Sequence, residues 1–457
     1  MVAEYLFSHA LTLIALLASI VMVVQLLDSK RTPQSTYAWL LAIIFVPLVA
    51  IPLFLLLGRR KFPRNAKRPS GRLPLATTDD GGESPVARLL RKSGVAPARD
   101  GNRFELLTTG EVAFARLLWL IENAERSLDM TMFILADDAV GLRVVEALAA
   151  RARSGIQVRL ILDAVGSSGV LPHATRVLGA AGAEVRTFMP LRHSPVRGRT
   201  NLRSHRKLLI ADGEHVFAGG MNVAGEYMGP PELKVAERWR DLAAVVSGPV
   251  APDATALFES DWRYCHGNAT TRVGSAPSSR GNEVLQLVPS GPDMVADTMY
   301  DALLTAVFAA RERIVLITPY FVPDDALEHA LVLAARRGVH ADVVVPLRSN
   351  HRLADVARRA SLRELSAAGV SLHYHPQMVH AKAMVIDELC AFIGSPNFDM
   401  RSLFLNYEDA LFLYSPDAIA QVRDFADALR AECASERPHE RSNWLLERVA
   451  RLLAPEL

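Results

Sequence analysis

Apolar positions fall into three regimes along the chain. Residues 6–27 carry no formal charge apart from the titratable His9, and residues 37–57 carry none. Each run is long enough to cross a hydrocarbon core of about 30 Å. Together they predict a transmembrane helical hairpin over 1–60, with Pro47 and Pro52 kinking the second helix. Of the charged types only Glu4 precedes the first run, so that run is expected to be an anchor rather than a cleaved leader. Residues 61–102 are rich in Pro, Gly, Arg and Asp without a long apolar period, which predicts a basic, flexible tether holding a short helix around 86–90. From 103 onward short apolar runs alternate with stretches of helical period. Strands are expected at 104–107, 128–135 and 158–162, and helices from Val112 to Glu122 and over 142–153. After a small, polar linker at 265–282 the order recurs: strands at 284–288, 314–318 and 341–345, helices at 296–310 and 326–337. This alternation predicts an α/β sandwich in two halves, 103–264 and 283–457. Residues 444–453 close the second half as an amphipathic helix, with Leu445, Val449, Leu452 and Leu453 set against Arg448 and Arg451.

One apolar run occurs twice. His205-Arg206-Lys207 leads into Leu208-Leu209-Ile210-Ala211-Asp212, and His380-Ala381-Lys382 into Ala383-Met384-Val385-Ile386-Asp387. Both read H-x-K-x4-D, 175 residues apart, and in both an asparagine, Asn222 or Asn397, stands 17 residues after the histidine. The run before Asp212-Gly213 and the run before Asp387-Glu388 each read as a strand entering a tight hairpin. In a strand, side chains two apart share a face, so His205 and Lys207 point one way and Leu208 and Ile210 the other. A histidine beside a fixed ammonium suits an anionic substrate such as a phosphate.

The doubled motif resembles the phospholipase D superfamily, over most of 103–414. With the N-terminal runs, including Arg31-Thr32-Pro33, Trp39-Leu40-Leu41 and Phe45-Val46-Pro47, the chain resembles the bacterial cardiolipin synthase family. That resemblance implies two phospholipase D-like halves related by a pseudo-twofold axis, with both motifs meeting between them. It implies phosphatidyl transfer between two phosphatidylglycerols, giving cardiolipin and glycerol through a phosphohistidine. A phospholipase D-type hydrolase, or a transferase using another acceptor alcohol, stays open beside it. Phosphodiester exchange needs a nucleophile and an acid at once, and each half supplies one histidine. Following the family's usual order, His205 is expected to attack phosphorus and His380 to act as acid and base. Lys207, Lys382, Asn222 and Asn397 are expected to hold the phosphate oxygens. Asp212 and Asp387 complete the catalytic motif but sit too far along the hairpin to touch phosphate, so their expected part is structural hydrogen bonding. Each histidine needs an acid on its far nitrogen. Asp241 and Glu408 are the candidates, 36 and 28 residues after His205 and His380 respectively. The stretch 318–323, Thr-Pro-Tyr-Phe-Val-Pro, resembles a segment that lines the substrate entrance in this family.

Charge locates the chemistry. The net charge is only +2, so bulk attraction to polyanions is not expected; local clusters matter. Arg59, Arg60, Lys61, Arg64, Lys67, Arg68 and Arg72 follow the second apolar run with no acid among them. They predict that side to face the bacterial cytoplasm, with the catalytic part there and the inner membrane spanned twice. The same cluster suits anionic headgroups. A basic loop at 192–203 runs into the first motif and is expected to wall the phosphate site or meet lipid. No groove of interleaved aromatic and basic residues for nucleic acid stands out. Three cysteines without metal spacing are expected as thiols, and neither a cofactor nor a metal is expected.

Overall fold

The computed structural model describes residues 17, 19–24, 26, 33–57, 83–190, 202–229, 237–266, 278–294, 296–434, 446, 447 and 450. Most of the first apolar run and of the expected C-terminal amphipathic helix lies outside these residues. So do the tether before 83, the basic loop up to 201 and the linker at 267–277.

The chain divides into two units, one of residues 1–66 with 191–202, the other of 67–190 with 203–457. In the smaller unit, helices span Pro33–Phe45 and Pro47–Leu57. The single second helix expected over 37–57 is therefore interrupted. Pro47 has no N–H, and Val46 stands outside both helices. Hydrogen bonds continue around the break, from Val46 N to Ala42 O and from Ala50 N to Val46 O. Met22, Leu26, Ile43, Ala50 and Phe54 form a buried cluster, while Leu41, Ile44, Phe45 and Leu48 are exposed. Among the described residues no helix is long and apolar enough to cross a membrane.

The larger unit is built on one sheet. Its first half contributes β1 (Arg99–Leu107), β2 (Ser127–Met132), β3 (Gln157–Asp163), β4 (Glu184–Phe188), β5 (Leu208–Ala211), β6 (His215–Gly219) and β7 (Ala243–Ser247). The second contributes β8 (Glu283–Ser290), β9 (Arg313–Ile317), β10 (Phe321–Val322), β11 (His340–Pro346), β12 (Ser371–His375), β13 (Ala383–Ile386), β14 (Cys390–Gly394), β15 (Phe398–Asp399) and β16 (Glu408–Leu413). Among the described residues, fourteen strands run β12-β11-β9-β13-β14-β16-β8-β1-β7-β6-β5-β2-β3-β4, and β10 pairs with β15 apart from them. Read outward from the β8–β1 junction, both halves repeat one order. The inner strands pair antiparallel, and the outer three of each half pair parallel. This is the pseudo-twofold arrangement that the doubled motif implied.

Each half buries its own core between strands and covering helices. In the first, Leu128, Met130, Leu160 and Leu209 meet Leu117 and Val144 from helices Gly110–Glu122 and Ala139–Arg153. In the second, Ile314, Val343 and Met384 meet Leu303 and Leu331 from helices Thr298–Ala309 and Asp325–Arg336. Two boundaries differ from the sequence expectation. The tether is folded from 83 on, because Val86 and Leu90, one helical turn apart on helix Pro85–Lys92, are buried in the second half's core. Helix Ala251–His266 also runs past the expected start of the linker, with Cys265 inside it.

Both motif strands enter hairpins. Ala211 pairs with His215 and Ile386 with Cys390, leaving three-residue loops at 212–214 and 387–389. Asp212 and Asp387 begin these loops with φ of 58° and 46°, a left-handed conformation that Asp tolerates better than most residues. The Asp212 carboxylate accepts the backbone N–H groups of Glu125, Arg126 and Ser127. The Asp387 carboxylate accepts those of Arg311, Glu312 and Arg313. In each half the acid ties its hairpin to the start of the neighbouring strand.

Candidate active site

The histidine segments meet the opposite half. Ahead of β5, His205 N donates to Tyr407 O at 2.8 Å, and Tyr407 N donates back to Arg203 O at 2.9 Å. Ahead of β13, His380 N donates to Arg240 O at 2.7 Å, and Arg240 N donates to Met378 O at 2.8 Å. Isolated parallel bridges, Ser204 with Tyr407 and Arg240 with Val379, record the same twofold pattern. The residue after Tyr407 is Glu408 and the residue after Arg240 is Asp241. Each bridge therefore sets a carboxylate from one half against a histidine from the other.

The side chains complete these crossed pairs. His205 Nδ1 lies 2.8 Å from Glu408 Oε2, and His380 Nδ1 lies 2.7 Å from Asp241 Oδ2. Sequence distance suggested the opposite pairing, each histidine with the acid downstream in its own half. The chain crosses because Glu408 opens β16 and Asp241 precedes β7, where Tyr407 and Arg240 bridge to the segment ahead of the partner half's motif. Four residues beyond the predicted set support this geometry. Ser395 Oγ donates to Glu408 Oε2 at 2.5 Å, and Asn406 Nδ2 donates to Oε1 at 3.2 Å. The position matching Ser395 in the first half is Gly220, where a Cβ would come within 2.4 Å of Asp241 Oδ1; only glycine admits the carboxylate. Arg206, fully buried between His205 and Lys207, donates to Glu408 O and Ser290 O and pairs with Asp261. Its counterpart is Ala381, so this tie exists once.

The cations are buried beside the histidines. Lys207 Nζ donates to His205 O, and Lys382 Nζ lies 2.6 and 2.9 Å from the two ring nitrogens of His380. Burial, with Lys207 nearby and against the pull of Glu408, pushes His205 down to about 4. Burial and the Lys382 charge, against Asp241, push His380 down to about 3. Both imidazoles are thus neutral at pH 7 with Nδ1–H held by a carboxylate, which leaves His205 Nε2 to react, while His380 Nε2 rests against Lys382 Nζ. Burial lowers Lys207 to about 8 and Lys382 to about 7. Burial opposes charge on Asp241 and Glu408 too. The paired histidines, the lysines and their hydrogen bonds outweigh it and hold both below the usual carboxylate range. Each histidine feels the lysine of the other half, so the two motifs form one electrostatic site.

The two asparagines flank it. Asn222 Oδ1 accepts Ile134 N at 3.2 Å, while buried Asn397 Oδ1 has no hydrogen-bond partner among the described residues. The surroundings of the histidines break the symmetry. Phe133 packs edge-on to His205 at 4.8 Å. His380 instead meets Tyr227 at 4.9 Å and Trp239 at 5.4 Å, and the Tyr227 hydroxyl lies 3.4 Å from His380 Nε2.

The family model described as cardiolipin synthase, phospholipase D-like domain, matches residues 117–262 and 303–430, more than half of the chain. The chain belongs to this family. A second model, described as a phospholipase D-nuclease N-terminal region, matches 13–59. A cardiolipin synthase of Geobacillus kaustophilus is 32% identical over 459 residues, covering 94% of this chain and 90% of that one. Cardiolipin synthase A of Pseudomonas entomophila is 30% identical, covering 100% of this chain and 99% of that one. Among solved structures, the phosphatidylserine synthase of Haemophilus influenzae matches with a TM-score of 0.58 at 14% identity. It covers 81% of this chain and 100% of that one, a likeness of fold.

Proposed function

We propose that the protein is a phosphatidyltransferase that makes cardiolipin from two phosphatidylglycerols. The observation that carries this reading is the crossed double pair, His205 with Glu408 and His380 with Asp241, beside two buried lysines. The relatives named cardiolipin synthase support the choice of lipid substrate. In the first step His205 Nε2 attacks the donor phosphorus; a P–N bond forms, the P–O bond to glycerol breaks, and His380 Nε2 gives its proton to the departing oxygen. Burial first and the Lys382 charge second keep His380 neutral at rest; an anionic phosphodiester beside Lys382 offsets that charge and favours the protonated ring, so Nε2 can carry that proton once substrate is bound. In the second step a hydroxyl of another phosphatidylglycerol returns a proton to Nε2, its oxygen bonds to phosphorus, and the P–N bond breaks. Lys207, Lys382, Asn222 and Asn397 offset charge on the phosphoryl oxygens.

His205 is assigned as nucleophile because its ring neighbour is Phe133 and, among the described residues, no hydroxyl bonds its Nε2, unlike His380. Residues 1–60 serve as a membrane hairpin, with the catalytic part on the cytoplasmic side. The exposed Leu41, Ile44, Phe45 and Leu48, a patch soluble proteins avoid, and the N-terminal family match support that role.

Purified enzyme in vesicles of phosphatidylglycerol alone should release cardiolipin and glycerol in equal amounts by mass spectrometry. Phosphatidic acid as the main product would make the protein a hydrolase. Because ammonium groups offset the phosphate charge, turnover should persist in excess EDTA; complete loss reversed by a divalent ion would contradict that mechanism.

A further inference from the structure

Tyr227 was absent from the motif set, yet its hydroxyl reaches the nitrogen on which the acid–base chemistry turns. It sits in the short helix Gly225–Met228, five residues after Asn222, and is buried. With Nδ1–H held by Asp241, the His380 Nε2 lone pair faces two donors, Lys382 Nζ at 2.9 Å and the Tyr227 hydroxyl at 3.4 Å. The Asn222 side chain in turn bonds the Tyr227 oxygen. Burial, followed by the nearby Asp241 charge, raises the phenol well above its ordinary range, so it remains a neutral donor rather than a base. Trp239 packs edge-on to Tyr227 at 4.7 Å and tilts over His380 at 5.4 Å. Among the described residues the matching position near His205 differs: the residue five after Asn397 is Ser402, whose backbone N–H caps onto Asp399.

We infer that Tyr227 is a catalytic residue that receives the acceptor alcohol and biases the second step toward alcohol over water. When an alcohol occupies His380 Nε2, its own O–H points at that nitrogen and its oxygen lone pairs are free. Tyr227, still held by Asn222, can then donate to this oxygen and fix it for attack. The carbon skeleton of an alcohol gains contact with the Tyr227 and Trp239 rings, and water has no such atoms to bury. Tyr227 moves no net proton. The P–N bond still breaks as the new P–O bond forms, and the alcohol's proton still goes to Nε2. The inference rests on the phosphatidyl-transfer reading and concerns how its acceptor is chosen.

The test is the full-length Tyr227→Phe enzyme in phosphatidylglycerol vesicles, with cardiolipin and phosphatidic acid both quantified. A nitrophenyl phosphatidyl donor, whose leaving group needs no proton, counts competent sites through the burst of histidine adduct. Per competent site, cardiolipin formation should fall about tenfold, the scale of one lost hydrogen bond. The ratio of phosphatidic acid to cardiolipin should rise several-fold. Trp239→Phe, which trims the aromatic wall and keeps the hydroxyl, should raise the ratio less. Equal losses of both products per competent site would reduce Tyr227 to a structural role and overturn the inference, as would an unchanged ratio. Wild-type enzyme that yields no cardiolipin would instead refute the transfer reading itself.

Discussion

At the residue scale the candidate site sets two imidazoles, neutral at rest, against carboxylates from the opposite half. Crossing makes a prediction that pairing within each half would reverse. Glu408→Gln keeps the side chain's size but loosens the His205 tautomer, so adduct formation from the nitrophenyl donor should slow, on the order of 10²-fold or more. Asp241→Asn should spare that burst and slow phosphatidylglycerol turnover, because it disturbs only His380. Stopped-flow release of nitrophenol reads the first effect and cardiolipin formation the second; exchanged outcomes would restore the within-half pairing. The same burial predicts acid sensitivity. His205 and His380 titrate near 4 and 3 when folded against roughly 6.5 in an unfolded chain. Below pH 6.5 the unfolded state binds more protons, so stability falls as pH drops from about 6.5 toward 4. Between pH 7 and pH 5 the two should together cost a few kcal/mol. His380→Asn removes one contributor, so its melting temperature should drop less over that interval than the wild type's. An equal drop would mean that His380 is not held neutral.

At the element scale, the motif aspartates act as staples, each accepting three backbone N–H groups at the far end of its strand from the histidine. Asp212→Ala should cost about 2–3 kcal/mol by thermal or urea unfolding, both from the lost charged hydrogen bonds and from a left-handed φ that Ala tolerates poorly. Asp212→Asn should cost less, since Asn accepts that φ and one such bond. Equal costs would argue that the backbone conformation contributes little. The hairpins, the alternation of strands and helices and the motif His, Lys, Asp and Asn residues were legible because each repeats in both halves, the motif residues at a fixed offset. The crossing was not, since it is written in backbone bridges between residues far apart in the chain, Ser204 with Tyr407 and Arg240 with Val379. Tyr227, Phe133 and Arg206 were hidden for a related reason. Each breaks the twofold pattern, so a comparison of the two copies passes over them. Ser395 could have been found, because it lies inside the repeated tail and replaces a glycine there. The interruption at Val46 was signalled by Pro47, but a kink and a break leave the same sequence trace.

At the scale of the whole molecule, two halves with separate cores share one sheet and one site. Neither motif histidine has its acid in its own half, so cutting the chain within 267–277 should preserve activity only while both pieces stay together. A protease site inserted there, followed by size-exclusion chromatography and assay, checks this; activity in either isolated half would contradict the composite site. Removing residues 1–60 should leave detergent-dispersed turnover largely intact and lower turnover on vesicles, since every site residue lies downstream. The most direct measurement of the central claim uses the nitrophenyl phosphatidyl donor with His205→Asn and His380→Asn. The account predicts an acid-labile phosphatidyl adduct, mapped to His205, in the His380 variant, and none in the His205 variant. An adduct on His380 in the His205 variant would reverse the roles, and adducts in neither would contradict a division of labour between the two histidines.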